Sequence, residues 1–295
     1  MKKLKIKKWK VLLITFLISL NTSGLFGQNE KVNPIEIKFN HNENQLHGWL
    51  YKANGNGPFP TAILLHGSVG QDGDIFNLGE SLSKEGFNVM SYNYPGSWRS
   101  EGNRTDDSAL GSVQSAINFV KSDYSIQSFE TDTSDIILIG YSYGGGMALL
   151  GSINNQSVKR VIAIAGGDLS VTSDEIRDNP NFKNSFTMMV NQLLSNPNLA
   201  RGTTAEEYVE LLLKNRDKYD LKKNSENLIN KEILLLVGWL DNTKKIENDM
   251  LPLFRELKSK GAKNIKIYAY ETNHSFTNVQ KEFTETIINW LRKKE

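Results

Sequence analysis

The stretch DIILIGYSYGGG, residues 135–146, decides the fold. Its first half is apolar and β-branched, which predicts a buried strand, and the residues that follow, GGMALLGSI, predict a helix. Ser142 therefore stands at a sharp turn from strand to helix. Gly140 and Gly144 flank it and let the backbone turn tightly. This G-x-S-x-G pattern is typical of a nucleophile elbow, although a glycine-rich connection without catalytic function is the alternative, so the rest of the chain must decide.

Strand-like and helix-like stretches alternate along the chain after residue 60. Predicted strands cover residues 35–39, 45–51, 61–66, 87–93, 135–141, 158–166, 232–238 and 264–270. Predicted helices cover residues 74–86, 107–122, 182–194, 204–220, 247–261 and 279–294. The first two strands form an antiparallel lead-in. The alternation predicts the α/β class, with a mostly parallel, eight-stranded type of sheet and helices on both faces.

Residues 167–230 interrupt this alternation, because they are polar, rich in asparagine and without a strand-like run. They follow a predicted strand of a parallel sheet, and ligands bind beyond the carboxyl ends of such strands. We therefore expect a helical insertion that acts as a cap over Ser142. Within it, Met188, Met189 and Leu193 share a helix face, which we expect to pack against the main domain rather than line a ligand site.

The N-terminal residues have the order of a secretory signal peptide. A basic segment, MKKLKIKKWK, precedes a short apolar core, VLLITFLISL, and a tail of small residues. We expect cleavage after Gly27, so that residues 1–27 are the signal peptide and residues 28–295 form one exported domain, periplasmic or secreted. An uncleaved membrane anchor is the alternative.

The charge of the chain divides at this predicted cleavage site. The whole chain carries +2, whereas residues 1–27 hold six lysines and no acidic residue, so residues 28–295 carry −4. A basic surface for nucleic acid is therefore not expected, nor is membrane attachment after cleavage. The chain has no cysteine, so its stability must come from a buried core rather than disulfides.

A serine hydroxyl becomes a nucleophile at neutral pH only with a base beside it and a carboxylate that orients the base. Histidine is the usual base, because its pKa lies close to neutrality. Of four histidines, only His274 follows Ser142, in the stretch NHSF just beyond the last predicted strand. Parallel strands end at one edge of a sheet, so we expect His274 to lie beside Ser142. An incidental loop histidine is the alternative.

Three acidic residues compete for the orienting role. Asp241 in GWLDN and Asp168 in GGDL each follow a predicted strand, and Glu271 lies close to His274 in the sequence. Glu271 is too near to reach around the imidazole ring easily. Asp241 gives the order serine, aspartate, histidine of a known triad arrangement, and we favour it, with Asp168 as the alternative.

Backbone N–H groups must also hold the oxyanion that forms during acyl transfer. Tyr143, the residue after the serine, supplies one. The loop HGSVGQDG after the strand 61–66 supplies the other, and we choose Ser68, with Val69 as the alternative donor. We expect His66 to order this loop rather than to ionise during catalysis.

From about residue 35 to residue 294 the chain resembles the α/β-hydrolase superfamily. The motifs LLHGS, GYSYGG, VGWLDN and NHSF fall where that fold needs them, and YNYPGSWRSEG, residues 92–102, resembles the superfamily's D-Y-R-G-x-G-x-S-x-G loop. Asn93 and Pro95 stand where the common pattern has Asp and Arg. The most similar groups are dienelactone-hydrolase-like proteins, which use a cysteine nucleophile, and the catalytic domain of prolyl-oligopeptidase-like peptidases, which carry a large N-terminal propeller.

The sequence thus predicts an exported serine hydrolase of the carboxylesterase type. Ser142, His274 and Asp241 would transfer the acyl group of a small ester to water, without a metal or an organic cofactor. A short peptide or amide is the first alternative substrate, which would make the protein a serine peptidase or amidase. A catalytically silent binding protein with the same fold is the second alternative.

Overall fold

The structure is a computed structural model that describes residues 32–293 of the chain. The predicted signal peptide, residues 1–27, lies outside the described residues and stays a prediction. Within residues 32–293, no helix combines the length and the apolar character that a membrane span requires.

The described residues contain one eight-stranded sheet, which confirms the predicted fold class. In chain order the strands are β1 (Ile35–His41), β2 (Asn44–Tyr51), β3 (Phe59–Leu65), β4 (Asn88–Tyr92), β5 (Thr131–Tyr141), β6 (Val158–Ile164), β7 (Glu232–Gly238) and β8 (Ile265–Tyr270). Their order across the sheet is β1-β2-β4-β3-β5-β6-β7-β8. Strand β2 is antiparallel to β1 and to β4, and all the other neighbours are parallel.

Helices connect most of these strands. Those in the described part of the chain are α1 (Leu78–Lys84), α2 (Asp106–Val120), α3 (Asp123–Phe129), α4 (Tyr143–Ile153), α5 (Leu169–Asp178), α6 (Pro180–Leu194), α7 (Ala205–Lys214), α8 (Met250–Ser259) and α9 (Gln280–Arg292). The core has two apolar layers, one on each face of the sheet. In β5, Ile136 and Leu138 belong to one layer, whereas Ile137 and Ile139 belong to the other. Successive side chains of a strand point to opposite faces, so a strand covered on both faces is apolar throughout.

The predicted helices differ from the structure at several points. Helix α1 begins at Leu78 rather than at residue 74, because Phe76 and Asn77 have left-handed backbone, with φ of 55° and 56°. The Asp74 carboxylate instead accepts hydrogen bonds from two N–H groups of the first helical turn. Helix α5 was not predicted, because Ser, Thr and Asp make up half of its ten residues and such residues favour caps and turns.

The cap segment, which we define as residues 167–230, contains helices α5, α6 and α7. Helix α6 covers the predicted range 182–194 and adds two residues at its start. Helix α7 ends at Lys214 rather than at residue 220, and a turn of 3-10 helix follows at Arg216–Lys218. Of the residues of α6, only Val190 is fully buried, so most of this helix faces solvent or a cavity.

Candidate active site

Ser142 lies between strand β5 and helix α4 in a conformation that few residues other than glycine adopt, with φ 54° and ψ −118°. Its N–H donates to the carbonyl oxygen of Ile164 at 2.8 Å, which fixes the turn to β6. Glycine is required at both flanking positions, because neither has room for a Cβ atom. A Cβ on Gly140 would lie 1.9 Å from the Gly144 carbonyl oxygen, and a Cβ on Gly144 would lie 2.0 Å from that of Leu65. The turn thus holds a strained serine at the carboxyl end of the sheet.

His274 follows β8 and lies beside Ser142. Its Nε2 is 2.9 Å from Ser142 Oγ, and its Nδ1 is 2.7 Å from Asp241 Oδ2. The tautomer with the proton on Nδ1 satisfies both contacts, because Nδ1 then donates to the carboxylate and Nε2 accepts from the serine hydroxyl. The Tyr141 hydroxyl donates to the His274 carbonyl oxygen at 2.9 Å and helps to hold the loop.

Asp241 follows β7, and its side chain is almost fully buried. Its Oδ1 accepts hydrogen bonds from the N–H groups of Thr243 and Lys244, both at 2.8 Å. Burial raises the pKa of this carboxyl, but the hydrogen bonds from His274 and the two N–H groups outweigh burial and hold the pKa below its ordinary value. The group is therefore an ionised carboxylate at neutral pH and can stabilise a protonated imidazole.

Asp168, the main competing acidic residue, is engaged elsewhere. Asp168 caps helix α5, where it accepts from the N–H of Ser170 at 2.9 Å and from its hydroxyl at 2.7 Å. It also accepts from the N–H of Leu221 at 3.3 Å, and burial raises its pKa. Among the described residues, neither Asp168 nor Glu271 makes a hydrogen bond to His274. The structure therefore places Asp241, rather than Asp168 or Glu271, beside His274. The catalytic roles of Ser142, His274 and Asp241 stay a prediction.

The two predicted oxyanion donors both line the cavity that contains Ser142. Tyr143 is the first residue of α4, and Ser68 lies in the loop after β3. Within residues 32–293, neither N–H group donates a hydrogen bond to a protein acceptor. The loop passes close to the serine, since a Cβ on Gly67 would lie 3.6 Å from Ser142 Cβ. Val69, the alternative donor, is 57% exposed and does not line the cavity.

His66 lies buried beneath this loop. Its Nδ1 lies 3.0 Å from the Gly67 carbonyl oxygen, to which it donates as the neutral ring. Burial lowers the pKa of His66 to about 4. The ring is thus neutral at physiological pH and orders the loop, in agreement with the expectation from the sequence.

The cavity over Ser142 has a volume of about 540 Å³. Helix α6 supplies its apolar wall: Phe182, Phe186, Met189, Val190 and Leu193. The expectation that Met188, Met189 and Leu193 pack against the main domain was wrong. Met188 is 72% exposed, and the other two line the cavity, because α6 lies over the site and no other described element covers its outer face.

The sequence analysis missed the polar part of the wall, which includes Arg104 and Tyr208. Arg104 is buried, and its guanidinium lies over the rings of Tyr94 at 4.6 Å and Tyr143 at 4.7 Å. Asp106 Oδ1 accepts hydrogen bonds from the hydroxyls of Tyr143, at 2.8 Å, and of Tyr208. No local sequence pattern marks these residues, because they are far apart in the chain. They lie before α2, at the start of α4 and in α7.

Comparisons with known proteins identify the fold family. A family model described as the alpha/beta hydrolase fold matches residues 60–293. The uncharacterized protein YfhR of Escherichia coli O157:H7 is 28% identical over 124 residues, which cover 40% of this chain. The match spans only 42% of the length of that protein.

Three similar solved structures show the extent of the shared fold. The acylaminoacyl peptidase of Pyrococcus horikoshii superposes with a TM-score of 0.65 at 16% identity, over 89% of this chain and 42% of its own. Est1E of Butyrivibrio proteoclasticus gives a TM-score of 0.64 at 16% identity, over 87% of this chain and 97% of its own. The esterase Pf2001 of Pyrococcus furiosus gives 0.62 at 16% identity, over 88% and 91%. At these identities the likeness is one of fold.

Proposed function

The chain belongs to the alpha/beta hydrolase fold family, and on this premise we propose that it is a serine hydrolase that cleaves carboxylic esters. One observation carries the proposal. A continuous chain of hydrogen bonds runs from Ser142 Oγ through His274, at 2.9 Å, to Asp241, at 2.7 Å. The serine is a strained residue at the end of the sheet, and two N–H groups without protein acceptors lie on the same cavity wall among the described residues.

The mechanism follows from the distances. His274 Nε2 takes the proton of Ser142 as Oγ attacks the ester carbonyl carbon, and the carbonyl electron pair moves onto oxygen. The N–H groups of Ser68 and Tyr143 stabilise this oxyanion, and Asp241 stabilises the imidazolium. The imidazolium then donates its proton to the departing alcohol. Water, activated by the same imidazole, hydrolyses the acyl-serine and restores the hydroxyl. This chemistry requires neither a metal nor an organic cofactor.

The apolar wall of the cavity favours a substrate whose acyl group is apolar and of moderate size. A volume of about 540 Å³ lies within the usual range of small-molecule sites. A small ester is our first choice, and a short peptide or amide is the alternative, since the neighbours of known structure include both esterases and an acylaminoacyl peptidase. Matched ester and amide substrates with one acyl group separate the two. Amide cleavage at a rate close to ester cleavage favours the peptidase.

The first experiment needs no substrate. A fluorophosphonate reacts with activated serines, and mass spectrometry identifies the labelled residue. We expect labelling of Ser142 in the purified protein and strongly reduced labelling in His274→Ala. Ser142→Ala should not be labelled, whereas Ser195→Ala, which removes an exposed hydroxyl at the end of α6, should be labelled like the parent. A folded protein without labelling at Ser142 contradicts the proposal and favours the silent binding protein.

We further propose export through residues 1–27. The order of these residues supports the proposal, since a basic segment precedes a short apolar core and a tail of small residues. The intact mass of the protein recovered from the host cell tests the proposal. A chain that begins at Gln28 supports cleavage, and a chain that keeps its N-terminal lysines contradicts it.

A further inference from the structure

Arg104 is a buried cation without an acidic partner. It is 4% exposed, lies just before helix α2 and lines the same cavity as Ser142. A guanidinium has five N–H donors. Among the described residues, its side chain makes a single hydrogen bond, a long contact of 3.5 Å from Nη1 to the Tyr143 hydroxyl. Most of its donors therefore have no protein acceptor.

The nearest acidic group does not pair with this guanidinium. Asp106 is buried, and its Oδ1 already accepts from the hydroxyls of Tyr143 and Tyr208. No carboxylate oxygen of the described residues lies within 4.0 Å of a side-chain nitrogen of Arg104. The rings of Tyr94 and Tyr143 lie against the guanidinium, so they hold it in place without occupying its donors.

Lys244, a half-buried cation of the same cavity wall, differs in this respect. Lys244 donates to the Thr172 hydroxyl at 3.2 Å and lies 4.0 Å from Asp249. Its charge thus has a partner within the protein. Among the described residues, Arg104 has no such carboxylate within 4.0 Å.

Burial of an unpaired guanidinium destabilises the protein unless a ligand accepts its hydrogen bonds and balances its charge. Its planar fork matches the two oxygens of a carboxylate, with which it forms two parallel hydrogen bonds. One guanidinium balances the single charge of a carboxylate, whereas a phosphate monoester carries nearly two charges at neutral pH. We propose that Arg104 forms a carboxylate-binding subsite, so that the substrate is an ester that carries a free carboxylate. This inference rests on the proposed function, since it describes the substrate of the same site.

The test uses two pairs of esters that differ only in charge. In the first pair the carboxylate is on the acyl side: 4-nitrophenyl hydrogen adipate against 4-nitrophenyl methyl adipate. In the second it is on the alcohol side: the butyrate ester of 3-hydroxybenzoate against that of methyl 3-hydroxybenzoate. We expect the protein to prefer the charged member of one pair by about 10- to 100-fold in kcat/KM.

The variant Arg104→Met should remove this preference, so that kcat/KM falls by about 10- to 100-fold more for the charged member of the preferred pair than for its neutral partner. Lys214→Met is the matched control, because it removes one positive charge from an exposed position of α7 outside the cavity and should preserve the preference. If Arg104→Met does not fold, Arg104→Lys keeps the charge but loses the fork, and the preference should fall. Equal rates for both members of both pairs overturn the inference, as does an equal loss on charged and neutral esters in Arg104→Met.

A binding experiment separates failure of this inference from failure of the proposed function. Calorimetry measures the affinity of 4-nitrophenyl hydrogen adipate and of its methyl ester for Ser142→Ala, which cannot form an acyl-enzyme. Tighter binding of the charged compound, lost when Arg104→Met is added, supports the subsite even if the protein hydrolyses no ester. Equal affinities, together with fluorophosphonate labelling of Ser142 in the parent, leave the hydrolase standing and reject the subsite.

Discussion

Asp241→Asn should leave the fold intact and slow ester hydrolysis by at least about 30-fold, for a reason that the hydrogen bonds define. Oδ1 of Asp241 accepts from the N–H groups of Thr243 and Lys244, both at 2.8 Å, and Oδ2 lies 2.7 Å from His274 Nδ1. Asparagine has nearly the same shape, but only one of its two terminal atoms accepts hydrogen bonds. The two N–H groups require that atom on their side, so the NH₂ group faces His274.

The imidazole must then accept at Nδ1 and carry its proton on Nε2, where it cannot take the proton of Ser142. The opposite amide orientation restores the active tautomer but leaves two N–H groups facing an NH₂ group. Each such loss costs about 1–3 kcal/mol, so the active arrangement lies about 2–6 kcal/mol higher. That difference slows hydrolysis by about 30-fold to about 20,000-fold.

The assay is kcat/KM for 4-nitrophenyl butyrate, with urea unfolding to check the fold. Asp168→Asn is the control, because Asp168 is also buried at the end of a strand and an asparagine remains a good helix N-cap. We expect it to hydrolyse the ester within about threefold of the parent. A parent-like rate in Asp241→Asn refutes the reasoning, and so does an equal loss in Asp168→Asn.

Three further predictions concern the elbow, the cavity and a buried acid. Gly144→Ala should lower the free energy of unfolding in urea by about 1–3 kcal/mol or more, because its Cβ would lie 2.0 Å from the Leu65 carbonyl oxygen. Gly67→Ala should lower the free energy of unfolding less, because its Cβ would make only ordinary contacts, from 3.4 Å. Equal losses of stability in the two variants contradict this prediction. Leu193→Trp should lower kcat/KM for 4-nitrophenyl hexanoate relative to the acetate by about 10-fold, since each excluded methylene is worth about 0.8 kcal/mol; an unchanged ratio means that the acyl chain lies elsewhere. Burial raises the pKa of Asp74 to about 6 from 3.8, so the folded state binds this proton more tightly, and stability declines as the pH rises from 3.8 through 6. Asp74→Asn should reduce this decline in urea unfolding at pH 4 and 7, and an unaltered decline shows that another group causes it.

Strands and the elbow were the easiest features to predict. Strand β7 has the same ends as the predicted strand 232–238, because its apolar run is continuous and the chain around it is polar. Helix α5 escaped prediction, because its stability comes from burial of a few side chains, such as Ile176, rather than from the helix propensity of its residues.

The sequence also placed Ser142, Asp241 and His274 just after predicted strands. It favoured Asp241 but did not exclude Asp168, which occupies an equivalent place after β6. Loop conformation decides between them. The turn after β7 directs the carboxylate of Asp241 toward His274, whereas the carboxylate of Asp168 is held by Ser170 at the start of α5.

The sequence by itself determined the alternation of strands and helices, the turn at Ser142 and the order of the candidate catalytic residues. These features depend on residues a few positions apart, whose periodicity and backbone preferences are local. Only the tertiary structure decided which aspartate meets His274, which face of α6 covers the cavity and that Arg104 lies beside the nucleophile. His274 and Ser142 are separated by 132 positions and yet make a hydrogen bond. Such contacts depend on how distant segments pack, and no local pattern of residues encodes them.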